Sequence, residues 1–227
     1  MSLVDELEIE TAVLELRYAD AFRIWDVAGA LWTEMTVAFP GLALSEVQPN
    51  QQVFEAETIQ MSVQVGTCRL ASRGPSAVRE VISSANSFCK TVVRHLNVQT
   101  FTRAGFRIIS AKKFGSASEA MTFARPSAGA YSSRFLDGSK ETGFVHGTRV
   151  ETETSGIFAV LKVEDRKISV AIPWNAAAYV RAFKEEKPTV VSDTDFYTIG
   201  LVEYESFDAG EWTKQAHRAI RRYWEGL

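Results

Sequence analysis

The chain has 227 residues, of which 46% are hydrophobic and 23% are charged, a composition that fits a globular protein able to bury a sizeable core. No apolar run approaches the 18 or so residues of a membrane span, and the acidic start MSLVDELEIE lacks the basic and apolar regions of a signal peptide. We therefore expect a cytoplasmic protein. Cys68 and Cys89 have neither a CxxC nor a metal-type spacing, and we expect both to be reduced core residues.

The net charge of -3 conceals a strong asymmetry along the chain. Residues 1–57 hold eleven acidic and two basic side chains, residues 58–135 hold two and eleven, and residues 136–227 hold fifteen and twelve. The acidic first segment can pack beside the basic middle segment so that their fields cancel, or the basic segment can face an anionic ligand or nucleic acid. We favour the first interpretation, because the isoelectric point is about 5.7 and nucleic-acid-binding domains are usually basic overall.

The first predicted elements are a strand and a helix. The alternation in AVLELRY predicts a half-buried strand over 12–18. Asp20 is then predicted to cap a helix that ends at Pro40-Gly41. Within this helix Trp25 and Trp32 recur at a spacing of seven, which predicts a stripe that covers a sheet. Alternatively the stripe is partly exposed, and the two tryptophans are then candidates for an interface with a second copy.

Together with the first strand and helix, the elements that follow predict a β-α-β-β-α-β unit over residues 1–124. Polar and apolar residues alternate around Gln60 and Ser62, so one face of the predicted sheet is wet or covers something polar. The predicted elements of this part are strands near 42–56 and 59–71, a helix over 76–97, a strand over 99–110 and a short helix over 117–123.

A segment rich in Gly and Ser follows and shows no clear period, so it is either a linker or a functional loop. After it, strands are predicted near 148–154, 157–163 and 167–172, then a helix from Asn175 to Lys184 and a strand over 189–204. The final helix has a capping box formed by Asp208 and Glu211, and Phe207 and Trp212 stand at hydrophobic-staple positions.

The most pointed pattern is the predicted strand FTRAGFRIIS, residues 101–110. It places Arg103 and Arg107 on one face with Gly105 between them. The two guanidiniums can form fork-like pairs with carboxylates across the sheet, for which Glu15 on the first strand is the obvious candidate. Alternatively they grip a phosphate, and the glycine lets the ligand approach the backbone.

Other candidate chemistry is weaker. Asp193 and Asp195 share one strand face and are compatible with a hard cation, although they can equally pair with arginines of the last helix. His217 stands beside Arg218 and Arg221, where it is either a buried hydrogen-bonding residue or an acid/base group. The chain has no GxGxxG, P-loop, HExxH, GxSxG or CxxC motif, so no cofactor is predicted.

Three stretches together resemble an uncharacterised, sporadically distributed family of bacterial proteins: LELRY at 14–18, TRAGFRIIS at 102–110, and DTDFY with FDAGEWTKQAHRAIRRYWE at 193–225. Ile108 and Ser110 stand where that family usually has Tyr and Asn, which puts in doubt any site built on those side chains. The resemblance implies a bacterial cytosolic α+β protein and carries over no activity. The residues that match are Glu15, Arg17, Tyr18, Arg103, Gly105, Arg107, Asp193, Asp195, His217, Ile220, Trp224 and Glu225.

The sequence thus predicts an α+β fold of two sequential sheet-and-helix halves, with mainly antiparallel sheets covered by helices on one face. The halves are 1–124 and 148–227, joined by a loop or linker over 125–147. The leading hypothesis is a non-catalytic binding or assembly module with a protein partner or a second copy of itself, whose anion-site candidates are Arg17, Arg103, Gly105 and Arg107. The alternative is an enzyme for a phosphate-bearing substrate or nucleic acid, with the arginines as clamps, His217 as acid/base and the aspartates holding a metal.

Overall fold

The computed structural model describes residues 3–125, 144–172 and 181–226. Within these residues, helices pack against a mainly antiparallel sheet of nine strands, so the predicted α+β class and sheet type are confirmed. None of the described helices combines the length and the apolar character needed to cross a membrane.

The elements are numbered in chain order. The strands are β1 (Glu8–Arg17), β2 (Ala43–Gln48), β3 (Gln51–Glu55), β4 (Ile59–Gln64), β5 (Thr67–Arg73), β6 (Thr100–Phe101), β7 (Arg103–Lys113), β8 (Phe144–Glu151), β9 (Ser155–Ile172), β10 (Arg181–Thr198) and β11 (Val202–Glu203). The α-helices are α1 (Ile24–Ala38), α2 (Ala77–Leu96), α3 (Ala117–Ala124) and α4 (Ala209–Glu225), and short 3-10 helices span Leu3–Glu6 and Tyr204–Ser206.

The main sheet has the strand order β2-β3-β4-β5-β1-β7-β10-β9-β8, and β6 pairs separately with β11. The two predicted halves meet inside this sheet, because β7 of the first half pairs with β10 of the second over the register Thr189↔Lys113 to Tyr197↔Gly105. Residues 126–143, which make up most of the predicted linker, lie outside the described residues.

One face of the sheet carries the core. Leu14 and Leu16 on β1 are fully buried, as is Phe106, which lies opposite Leu14 on β7. The helices α2 and α4 pack over β1, β5, β7 and β10. The predicted helix over 76–97 is confirmed as α2, and its residues at helical spacing, such as Val81, are buried. Alternation along the strands then directs the intervening residues to the opposite face.

Several predicted boundaries are wrong. The helix α1 begins after Arg23, and its start has no side-chain cap. The prediction that Asp20 caps this helix is therefore wrong. Four short strands, β2 to β5, stand where two were predicted, because additional tight turns divide the segment. The strand β10 occupies 181–184, where a helix was predicted, since pairing with β9 outweighs local helical propensity; residues 175–180 lie outside the described part. His146, predicted to lie in the loop, is in β8.

The start of α4 follows its prediction. Asp208 accepts a hydrogen bond from the Glu211 amide at 2.7 Å, which satisfies one of the amides that the first turn leaves without a partner. The rings of Phe207 and Trp212 lie 5.8 Å apart, as expected for a hydrophobic staple. The glutamate side chain itself pairs with Lys214 and Arg218 and does not complete the capping box.

The prediction that Trp25 and Trp32 cover the sheet is wrong. They are 59% and 46% exposed, whereas Leu31 and Met35 of the same helix are fully buried. The cause is helical geometry: at about 100° per residue, the positions that repeat every seven residues lie roughly a quarter-turn from the row that meets the core. The tryptophans therefore leave an apolar stripe on the outer surface of α1.

Candidate anion-binding groove on the open face of the sheet

The face of the sheet opposite to the helices, which the described residues leave open, forms a groove of about 740 Å³. Its lining confirms that the face around Gln60 and Ser62 is polar, while the alternating Met61 and Val63 are buried. Six arginines and three carboxylates line it, and because Asp193 pairs with one of these arginines, the surplus is two positive charges. These charged residues are Arg17, Arg69, Arg73, Arg103, Arg107, Arg149, Glu15, Glu151 and Asp195.

Glu15 is the main anion at the floor of the groove. Its carboxylate accepts from Arg17 Nε at 2.6 Å and from Arg69 Nε at 2.5 Å. It also lies 3.5 Å from Nη1 of Arg103, which confirms the predicted contact across the sheet. Burial would raise the pKa of Glu15, but the hydrogen bonds and charges of Arg17 and Arg69 outweigh it and hold that pKa below its usual value.

Arg103 is held on three sides. In addition to Glu15, its guanidinium pairs with Asp195 and lies 4.8 Å from the ring centroid of Tyr197, within cation–π range. Burial raises the pKa of Asp195 despite this partner. A Cβ on Gly105 would lie 3.2 Å from Nη1 of Arg103 and 3.3 Å from Oδ1 of Asp195. The glycine therefore makes room for an internal guanidinium, which is a different use from the predicted approach of a ligand.

Arg107 forms a two-point pair with Asp193. Its Nε donates to Oδ1 at 2.6 Å and its Nη2 donates to Oδ2. The hydrogen bond to Asp193 and the negative charges nearby raise the pKa of Arg107. The predicted pairing of Asp193 and Asp195 with the last helix is wrong, since their partners are on the neighbouring strand. Among the described residues, no three His, Cys, Asp or Glu side chains come together as a metal site would require.

Two arginines of the groove differ from the rest. Arg73 and Arg149 are exposed, and neither lies within salt-bridge distance of any carboxylate in the described part of the chain. Arg149 instead lies 5.5 Å from the ring centroid of Phe158, a residue that is 40% exposed. Sequence reasoning missed both. For Arg73 a signal was present, because it stands four residues after Arg69 on one strand, the same spacing as in the arginine pair that was recognised.

His217 lies away from the groove, on the helix-covered side of the sheet. It lines a cleft between α2 and α4 together with Arg79, Asn86 and Lys214. Burial and the charge of Arg221 lower its pKa, so the ring is neutral near pH 7. The structure brings together the predicted arginines and aspartates and does not bring His217 to them.

A comparison with known protein families found no family model that matches this chain, and a search of curated proteins found no match either.

Proposed function

We propose that this chain is a non-catalytic binding module that takes an extended anionic ligand in the groove on the open face of its sheet. The observation that carries the proposal is the pair Arg73 and Arg149, which line the groove without a carboxylate partner among the described residues. The bacterial cytosolic setting belongs to the same proposal and rests on the sequence resemblance.

The positions of the two arginines indicate the length of the ligand. Arg73 ends β5 and Arg149 lies on β8, so that β1, β7, β10 and β9 stand between their strands. Five inter-strand spacings of about 4.8 Å separate the two residues by roughly 24 Å on a flat sheet. A single phosphate cannot contact both. A chain of several phosphates or carboxylates can, and we propose a ligand of that kind.

The paired residues between them have a different role. Glu15, Arg103 and Asp195 hold one another in place, so the floor of the groove is rigid and its charges largely cancel. The surplus of positive charge then comes from the two sides, where Arg73 and Arg149 keep donors available. Phe158 beside Arg149 adds an exposed aromatic ring on which a planar group could stack.

The experiment compares two double variants of equal charge. Arg73→Ala with Arg149→Ala removes two cations from the groove, and Arg79→Ala with Arg222→Ala removes two exposed cations from the helices. Binding is followed by fluorescence anisotropy with a short labelled single-stranded oligodeoxythymidylate and a labelled polyglutamate peptide of the same length. We expect the groove variant to weaken binding of one probe and to lower the slope of log K against log salt by about 2. The helix variant should bind as the wild type does.

The two probes separate the sources of the anion. Preference for the oligonucleotide indicates a phosphate ligand, and preference for polyglutamate indicates an acidic protein segment. Equal weakening by both double variants would show that net charge alone attracts the probes, and it would overturn the groove as the site.

The assembly part of the proposed function concerns α1. Its exposed tryptophans, together with Phe22, form an apolar stripe that the described residues leave uncovered, and we propose that it is a contact with another protein chain. Catalysis on a phosphate-bearing substrate is not proposed, because His217 lies on the far side of the sheet from the arginines.

A further inference from the structure

The outward stripe of α1 has an unusual composition. It is uncharged over more than three helical turns except for Asp26 at its edge, and its three aromatic side chains are each 46–59% exposed. Phe22 and Trp25 contact each other, with ring centroids 5.4 Å apart. The residues of this stripe, which we call the α1 stripe, are Phe22, Trp25, Gly29, Trp32, Thr33 and Thr36.

The two threonines of the stripe present an apolar surface. Thr33 donates its hydroxyl to the Gly29 carbonyl at 2.9 Å, and Thr36 donates to the Trp32 carbonyl at 3.0 Å. Because these hydroxyls are satisfied by the backbone of the helix itself, they need no water or partner, and the methyl groups complete an apolar strip. An exposed apolar strip of this kind is typical of an interaction surface.

Gly29 stands at the centre of the stripe without an internal reason. A Cβ added there would meet no atom within 4 Å, yet a glycine inside a helix costs about 1 kcal/mol relative to alanine. Close approach of a second chain is a physical use that fits a glycine in this position.

The pattern around Gly29 is self-complementary. In an antiparallel pair of helices related by a two-fold axis at Gly29, each residue at 29−n faces the residue at 29+n of the other copy. Trp25 then faces Thr33 of the second copy, and Phe22 faces Thr36. Large residues therefore meet small ones at these two steps, as close packing requires. Trp32 faces Asp26 of the second copy, so its indole N–H meets a carboxylate that has no hydrogen-bond partner among the described residues.

We propose that the α1 stripe is the interface of a homodimer, in which two α1 helices pack antiparallel with Gly29 at the two-fold axis. The proposal rests on the assembly part of the proposed function and names its partner as a second copy. A half-exposed aromatic side chain offers on the order of 100 Å². The three aromatic side chains of each copy together therefore bury about 600 Å² in the dimer. This area is below that of most stable dimers, so we expect a weak, reversible dimer whose dissociation constant is on the order of micromolar or higher.

Two leucine substitutions test the interface. Gly29→Leu places a bulky side chain on the axis, and Ala30→Leu adds the same side chain on the neighbouring exposed position outside the stripe. Sedimentation equilibrium from about 1 µM to about 500 µM spans the expected constant. We expect Gly29→Leu to raise the dissociation constant at least about tenfold while its melting temperature stays equal to or above that of the wild type, since no atom within 4 Å opposes the side chain. Ala30→Leu should associate as the wild type does.

A cross-link tests the register. In Gly29→Cys the two introduced thiols lie together at the axis, and mild oxidation should give a disulfide-linked dimer, which needs Cα atoms within about 7 Å. Cys68 and Cys89 are buried and do not compete. The variant Ala30→Cys is the control and should cross-link more slowly. A wild type that stays monomeric throughout the range, or a dimer that both leucine variants leave intact, would overturn the proposal.

The anion-binding assay separates this proposal from the groove. Gly29→Leu should bind the anionic probe with the affinity per chain of the wild type, and the double variant of Arg73 and Arg149 should still form dimers. Unchanged anion binding in the groove variant would overturn the groove and leave the interface standing, whereas loss of the dimer in that variant would overturn the assignment of the interface to α1.

Discussion

The two faces of the central strands solve the same problem of burial in different ways. On β1, Leu14 and Leu16 point to the helices and are fully buried, while the alternating Glu15 and Arg17 point to the open groove and form ion pairs. The helix-covered face depends on apolar area, which has no preferred direction and tolerates repacking. The open face depends on directed pairs, in which each charge needs a particular partner.

The difference extends to the shape of the surface. Side chains on the covered face extend toward the helices, whereas on the open face Arg103 lies flat over its own strand and Tyr197 lies flat over β9. A side chain that lies flat needs a neighbour without a Cβ, and glycine is found beneath both: Gly105 under the guanidinium and Gly156 under the tyrosine ring. The open face therefore requires glycine at positions 105 and 156, although glycine has no side chain that takes part in the ion pairs.

The covered face should show the largest loss of stability on mutation. Phe106→Ala removes a fully buried ring, and we expect the free energy of unfolding to fall by roughly 3–5 kcal/mol from lost transfer energy and a residual cavity. Urea denaturation followed by circular dichroism measures the change. Arg149→Ala, an exposed substitution on the other face, is the control and should stay within about 0.5 kcal/mol of the wild type. A similar loss in both variants would contradict the division between the faces.

On the open face, the largest effect should come from Arg103. Arg103→Ala leaves Asp195 and Glu15 partly buried without their shared cation, and we expect a loss of about 1–3 kcal/mol. The double-mutant cycle with Asp195→Ala should show a coupling energy near or above 1 kcal/mol. Additive losses in the cycle would show that the pair contributes nothing beyond its separate side chains.

The glycine beneath Tyr197 sharpens the comparison further. A Cβ on Gly156 would lie 2.6 Å from Cζ of that ring, whose hydroxyl donates to Glu151 at 2.5 Å. Gly156→Ala should therefore displace the ring and cost about 1–2 kcal/mol. In the background Tyr197→Ala the same substitution should become neutral or stabilising, because alanine restricts the unfolded chain more than glycine does. If Gly156→Ala costs the same stability in the Tyr197→Ala background, the tyrosine ring is not the cause of the cost and the strain lies in the backbone.

Local pattern was sufficient to predict much of this architecture. The periodicity of α2, the cap of α4 and the alternation of β1 each encode burial within a few residues, and the contact of Glu15 with Arg103 followed from opposite charges on two predicted strands. The partners of Asp193 and Asp195 could not be predicted, because they depend on the pairing of β10 with β7, which is set by topology and not by spacing. For the same reason the sequence could not place His217 across the sheet from Arg107, nor show which side of α1 meets the core.

The smallest expected effect concerns pH and the covered face. Burial lowers the pKa of His217 below its value in the unfolded chain, which is near 6.5. Above that value the ring is neutral in both states and contributes no pH dependence. As the pH falls through about 6.5, the unfolded chain takes up the proton more readily, so stability declines until the pH is below the folded pKa.

His95 has a pKa lowered in the same direction, so the wild type alone does not isolate one ring. The difference between wild type and His217→Gln does: the variant should gain stability relative to the wild type at pH 5 compared with pH 8, measured by urea denaturation at both. A constant difference across this range would show that the imidazole is as free to charge in the folded protein as in water, and that the cleft between α2 and α4 is wetter than its packing indicates.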